Sequence, residues 1–237
     1  MTSHPSSLSR GVFTGLMIGA AIAGLCATLP AAAQATSRPC ANDPVQEDVP
    51  GPACLMAHQS LGKLDPGPVY WTLESYPDAA TAARHRSDKD TLVEAYGKVW
   101  LFSLGPLNAR PATGERVATI GPIAIDAKVS YDAEFLKSTF SPGMKAPVHV
   151  HSGPEAFYAI SGDTCLETPD GVQRGKGPGN IVLVRAGPPM LLMATGATPR
   201  KGFALILHDA KAPPTTLVHH WTPKGLCEAE VAATDTQ

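Results

Sequence analysis

The residues Gly143–Gly162, GMKAPVHVHSGPEAFYAISG, decide how this chain is read. Two histidines, His149 and His151, stand one residue apart, Glu155 follows four positions on, and glycines frame an otherwise apolar run. In an extended strand residues i and i+2 project to the same face, so the two imidazoles share a side while Val148 and Val150 take the other. A separation of roughly 7 Å along the strand lets both reach one ion. The turn SGPE then returns Glu155, at the start of the next strand, toward them. Two nitrogens and one carboxylate suit Mn, Fe(II), Ni, Zn or Cu(II), with coordination positions left for water or substrate. Taken alone, a His-x-His pair is more often two exposed strand histidines; the glutamate and the framing glycines favour ligation.

The surroundings of this stretch are strands. From Arg116 onward come RVATIG, AKVSYDAEFLKSTFSPG, PVHVHS, EAFYAISG, TCLETPDG, NIVLVRAGPP, MLLMATG and KGFALILHD, each bounded by Gly or Pro and almost without helical period. Regular short strands of this kind predict a β-sandwich or barrel. Upstream, PVYWTLESYPDAATAARHRSDKDTLVEAYGKVWLFSLG reads as a strand over 69–75, a short helix opening near Asp78, and a hairpin turning at YGK.

The series Gly143, His149, His151, Glu155, Gly162, with Pro147 ahead of the strand, resembles the first signature motif of the cupin superfamily at every position. The resemblance covers roughly Ala127 to Pro213. It implies a mainly β fold, an antiparallel jelly-roll barrel, which the upstream strand, helix and hairpin precede as an N-terminal α+β extension, and a divalent metal (Mn, Fe, Ni, Zn or Cu) held by His149, His151 and Glu155. The family's second motif would add a histidine. Here that segment is GNIVLVRAGPPMLLMATG, and aligning Gly179 and Gly187 with the motif puts Met190 at the histidine position, or Leu191 if the turn has one extra residue.

Three readings of that gap stand side by side. Met190 or Leu191 lines the pocket of a weaker or vacant metal site, methionine being more often core filler than ligand. Alternatively His208, ending the strand FALILH, turns inward as the replacement ligand. The third is a His/His/Met copper site, since a thioether selects Cu(I), which the hard Glu155 suits poorly. Phe157 shares the parity of Glu155 and is expected to face the cavity, with Tyr158 pointing away. His219 and His220 are sequential and make a poor chelating pair, so they read as tail surface, as does His58. His85, beside Arg84, Arg86 and Lys89, reads as part of a solvated face.

The N-terminus decides the compartment. MTSHPSSLSR carries Arg10, an uncharged apolar segment follows, and AAAQA offers small residues at signal-peptidase spacing, so residues 1–35 read as a leader cleaved after Ala35. A retained anchor is the alternative, because roughly 20 apolar residues span a bilayer; lipidation at Cys26 is disfavoured by Leu25. Cleavage removes one cation and no acid, moving the formal charge from −2 to −3, which gives no electrostatic reason to bind nucleic acid.

Four cysteines then remain, Cys40, Cys54, Cys165 and Cys227, in a periplasmic or secreted setting that permits oxidation. Three pairings are open, and Cys40 with Cys54 and Cys165 with Cys227 is the preferred one. The expected organisation is an irregular arm over 36–67, a strand-helix-hairpin extension over 68–115, the barrel over 116–213 and a tail over 214–237. No nucleophile motif such as GxSxG is present. A metal-dependent enzyme on a small oxygen-rich molecule, with oxygenase, isomerase or lyase chemistry all open, stands against a non-catalytic small-ligand module. Neither involves a membrane after leader cleavage, and the barrel relatives suggest a homodimer.

Overall fold

The computed structural model describes residues 34–35, 38–40, 49–109 and 111–228. The leader reading lies outside these residues except for Gln34–Ala35. No helix among the described residues is long and apolar enough to cross a membrane. The elements in chain order are β1 (Gln34–Ala35), β2 (Gly51–Lys63), β3 (Val69–Tyr76), α1 (Ala79–His85), β4 (Asp90–Ala95), β5 (Lys98–Gly105), β6 (Glu115–Ile123) and β7 (Ser130–Phe140). They continue as β8 (His149–Val150), β9 (Glu155–Ser161), β10 (Asp163–Thr168), β11 (Gly171–Gly175), β12 (Ile181–Val184), β13 (Leu191–Thr195), β14 (Arg200–Asp209) and β15 (Thr215–Leu217).

The strands form four sheets: β12-β9-β14-β7-β2, β4-β5-β3-β6, β11-β10-β13 and β1-β15-β8. The named pairings are antiparallel. The mainly β expectation holds, although the sheets face one another and are not joined into one closed hydrogen-bonded barrel among the described residues.

The five-stranded sheet is central because strand alternation gives it two apolar faces. On one face Phe135, Ala133, Tyr158, Phe203 and Leu205 pack against Trp71, Leu73, Trp100 and Phe102 of the four-stranded sheet. Phe102 sits at the centre of this layer, its ring centroid 5.3 Å from that of Trp71, 5.1 Å from Phe203 and 5.4 Å from Phe135. Burying each such aromatic contributes about 2–3 kcal/mol. On the other face Phe140, Phe157 and Val182 meet Leu166, Leu192 and Ala194 of the β10 and β13 strands. One sheet therefore belongs to two cores.

This arrangement corrects the sequence reading in three places. The stretch expected to be an irregular arm holds β2, thirteen residues along the edge of β7. Its register shifts at Gly51/Cys54, Leu55/Ala57 and Ser60/Gly62, and such bulges erase the alternation by which a strand is recognised. Strand β6, assigned by sequence to the barrel, pairs with β3 and completes the other sheet. Residues 215–217 of the supposed tail form β15, which pairs with β8 on one side and with the backbone of Gln34–Ala35 on the other. The hairpin at Tyr96–Gly97 has both residues at positive φ, 53° and 69°, the geometry that matches strand twist in a two-residue turn. Asp78 caps α1 by accepting from the Thr81 N–H at 2.7 Å. The disulfides are Cys40–Cys54 and Cys165–Cys227.

Candidate metal centre

Strand β8 is held on both edges: Thr216 and Leu217 of β15 pair with Val150 and His149, and Met190 exchanges two backbone hydrogen bonds with His149. The chain then turns through Ser152, Gly153 and Pro154 into β9. A Cβ at Gly153 would stand 1.9 Å from the carbonyl oxygen of Leu207, so only glycine lets this turn lie against β14. The turn is held there by Leu207 N–H to Pro154 O at 2.9 Å and Asp209 N–H to Ser152 Oγ at 2.9 Å. Glu155 thereby comes back under the two histidines.

His149, His151 and Glu155 are brought together, with one ligand atom from each within 4.8 Å of the others. They are 9%, 2% and 4% exposed. His149 Nδ1 lies 2.7 Å from Pro147 O and His151 Nδ1 lies 2.6 Å from Pro214 O, contacts in which the nitrogen must donate. That fixes both rings with Nε2 turned to the common point, the orientation that metal-ligating histidines take from their outer partners. His151 Nε2 is 3.1 Å from Glu155 Oε2, and beyond this approach both buried atoms have no hydrogen-bond partner. Two donors on one ion, each about 2.1 Å from it at a right angle, stand about 3 Å apart, so this spacing fits ligands sharing an ion.

The electrostatics separate the two rings. Burial and the neighbouring His151 lower the pKa of His149, opposed by Glu155 and the Pro147 carbonyl. Burial alone would lower that of His151 as well, but the Glu155 carboxylate, the Pro214 carbonyl and the charge of Glu134 together raise it. A dication at the common point would repel both ring protons and supply Glu155 with the charge partner its burial demands.

A cavity of about 620 Å³ opens beside these residues. Phe157, Leu192, Phe140 and Ile206 give it apolar walls, and Arg38 and Lys145 stand on its lining, the Lys145 ammonium paired with Glu228. Tyr158 lies in the opposite core with Trp71 and Phe203. Met190 is a correction: it is 1% exposed and packed with Val182 and Val184, and neither it nor Leu191 is among the cavity-lining residues, where Leu192 stands instead. His208 is another correction, because β14 carries it to a second cluster with His58 and Asp132 and away from His149. His219 and His220 are exposed, as are His58 and His85; the His85 ring stacks on Tyr76 at 6.0 Å.

Sequence reasoning missed Arg200. Its side chain is 1% exposed, with Nε donating to Thr164 Oγ1 at 2.8 Å, Nη1 to the cavity-lining Ser138 Oγ at 3.3 Å, and Nη2 without a partner. Its guanidinium lies 5.6 Å from the Phe157 ring centroid. Burial brings its pKa down to about 10, against the pull of Tyr96 and Glu155, so it stays charged at neutral pH. The only signal was its placement one residue before an apolar strand, which reads equally as a turn cation.

Fold and cluster together define a mainly antiparallel-β chain carrying a two-histidine, one-carboxylate group. No protein-family model matches the chain. No curated protein matches it either. Solved cupin structures are similar to it over about a third of its length. An RmlC-like cupin family protein with a double-stranded β-helix fold from Methanocaldococcus jannaschii is 21% identical, the match covering 33% of this chain and 72% of that one, with a TM-score of 0.31. The DMSP lyase DddQ from Ruegeria pomeroyi is 21% identical over 34% of this chain and 40% of its own, TM-score 0.30. An oxalate oxidase is 15% identical over 36% and 46%, TM-score 0.31. The chain spans less than half the length of the last two.

Proposed function

We propose that this protein holds a divalent first-row transition ion through His149, His151 and Glu155 and uses it to engage a small oxygen-rich anion in the adjoining cavity. One observation carries the reading: two imidazoles with their Nδ1–H groups committed to backbone carbonyls share a point with a buried carboxylate oxygen, where His151 Nε2 and Glu155 Oε2 stand 3.1 Å apart and have no other partner. A bound ion supplies Lewis acidity toward a carbonyl or carboxylate oxygen, or activates water or O2. The chain's own residues do the rest. Arg38 attracts an anion to the cavity, Phe157 and Leu192 exclude water beside the ligands, and Arg200 holds Ser138 in place. Export to an oxidising compartment belongs to the same proposal and is supported by the two disulfides. So does pairing into a homodimer, which rests on the family resemblance.

A second reading, a non-catalytic module for the same class of ligand, is favoured by the buried, apolar Met190 where the family places a further histidine. Elemental analysis of untagged protein from its native compartment, beside His149→Ala and Glu155→Ala, tests the metal. Near-stoichiometric Mn, Fe, Ni, Zn or Cu lost in both variants is expected, and a parent that is empty and takes up no added metal overturns the proposal. Incubating the loaded protein with small carboxylates then separates enzyme from binder, since only the enzyme shows product that the variants lack.

A further inference from the structure

The face of the central sheet that carries Glu155 continues beyond it. Ile206 is opposite Glu155 and Glu134, and two residues further along β14 His208 is opposite Asp132. On the edge strand β2, His58 is opposite Glu134, and so diagonal to Asp132. Cross-strand partners share a face, which puts His58, Asp132 and His208 on the same side as Glu155 but nearer the strand ends. Their ligand atoms lie within 4.8 Å of one another, and His58 Nε2 is 3.3 Å from Asp132 Oδ2.

His208 shows what this group is for. Its side chain is 5% exposed, and Nδ1 lies 3.0 Å from Asp209 O and 3.1 Å from Ala212 O, so the ring proton is on Nδ1. That leaves Nε2 as a bare lone pair, buried and without a hydrogen-bond partner. A buried acceptor left unmet costs about 1–3 kcal/mol, and a neutral imidazole in this tautomer is the form that ligates metals. The opposite rim is open, because His58 and Asp132 have side chains 44% and 18% exposed. An ion can enter from solvent and keep water in its remaining positions.

We propose that His58, Asp132 and His208 form a second divalent metal site, selective for a nitrogen-preferring ion such as Zn2+ over Ca2+ or Mg2+. Its three ligands come from adjacent strands, so the ion ties the bulged edge strand β2 to β7 and β14. It does not depend on the function proposed for the first site.

The test is Zn2+ titration of the metal-stripped full chain by calorimetry, with metal content measured after dialysis. The parent is expected to take two equivalents and His151→Ala one. Adding His58→Ala, an exposed position that leaves the core untouched, should weaken that remaining equivalent by at least about tenfold, and Asp132→Asn should do the same. If His151→Ala does not fold, the parent and His58→Ala alone are compared, with two equivalents expected against one. Zinc binding that is indifferent to both His58→Ala and Asp132→Asn, or a single equivalent that is lost in His151→Ala, overturns the proposal, whether or not the first site takes zinc.

Discussion

Glu74 and Glu155 are both carboxylates buried on strands, 0% and 4% exposed, and they are treated in opposite ways. Glu74 Oε1 receives Arg116 Nη2 at 3.0 Å, and Oε2 receives the Tyr76 hydroxyl at 2.9 Å. Glu167, also fully buried, takes the backbone N–H groups of Lys224 and of Leu226, the latter at 3.0 Å. Glu155 Oε2 has only His151 Nε2 beside it, at 3.1 Å, and the Nδ1–H groups of both rings are turned toward carbonyls. A buried charge needs compensation. Where the chain supplies it, the carboxylate is scaffold; where the chain sets only imidazoles beside it, the carboxylate suits the cation proposed above.

The contrast can be broken or sharpened by substitution. The largest loss of stability is expected from Cys165→Ala combined with Cys227→Ala, which opens a loop of 62 residues and releases the segment that satisfies Glu167. It should cost about 4 kcal/mol in denaturant unfolding while leaving zinc affinity at the first site unchanged. Glu74→Gln comes next, at about 3 kcal/mol, because the Arg116 guanidinium loses the buried carboxylate charge facing it; its side chain is 27% exposed, which keeps the cost at the lower end for a buried pair. Its metal binding should equal that of the parent.

Glu155→Gln reverses the pattern. The metal-free variant should unfold within about 1 kcal/mol of the parent, yet bind the first equivalent of zinc at least about 100-fold more weakly. A large loss of metal-free stability with intact binding would place Glu155 among the scaffold carboxylates.

The smallest effect is in pH. The folded-state pKa of His151 is raised, so its ion pair with Glu155 contributes below the unfolded value of 6.5 and is lost as pH climbs through the raised one. His149 runs the other way, its lowered value destabilising the fold as pH falls below 6.5. Metal needs both rings deprotonated. The rise in Tm on adding zinc should therefore be a few degrees larger at pH 8 than at pH 6, and a pH-independent rise would mean that these rings are not the ligands.

Much of this was legible in the chain. The alternation in VHVH and the return through SGPE place three donors by local geometry alone, and the strand punctuation gives a mainly β fold. What escaped reading depended on partners distant in sequence. Strand β2 is hidden by three bulges, and Arg200 and His208 acquire meaning only through β7 and β10 partners more than thirty residues away. The Met190 position could be located by spacing, but its side chain is buried with Val182 and Val184 while Leu192 reaches the cavity, which only tertiary packing decides.

The most direct measurement is an anomalous difference map from crystals grown with zinc, collected at the zinc absorption edge. The account predicts a peak about 2.0–2.2 Å from Nε2 of His149, Nε2 of His151 and a carboxylate oxygen of Glu155. Density free of metal at that point, with His151 Nε2 hydrogen-bonded directly to Glu155 in protein saturated with zinc, would contradict it.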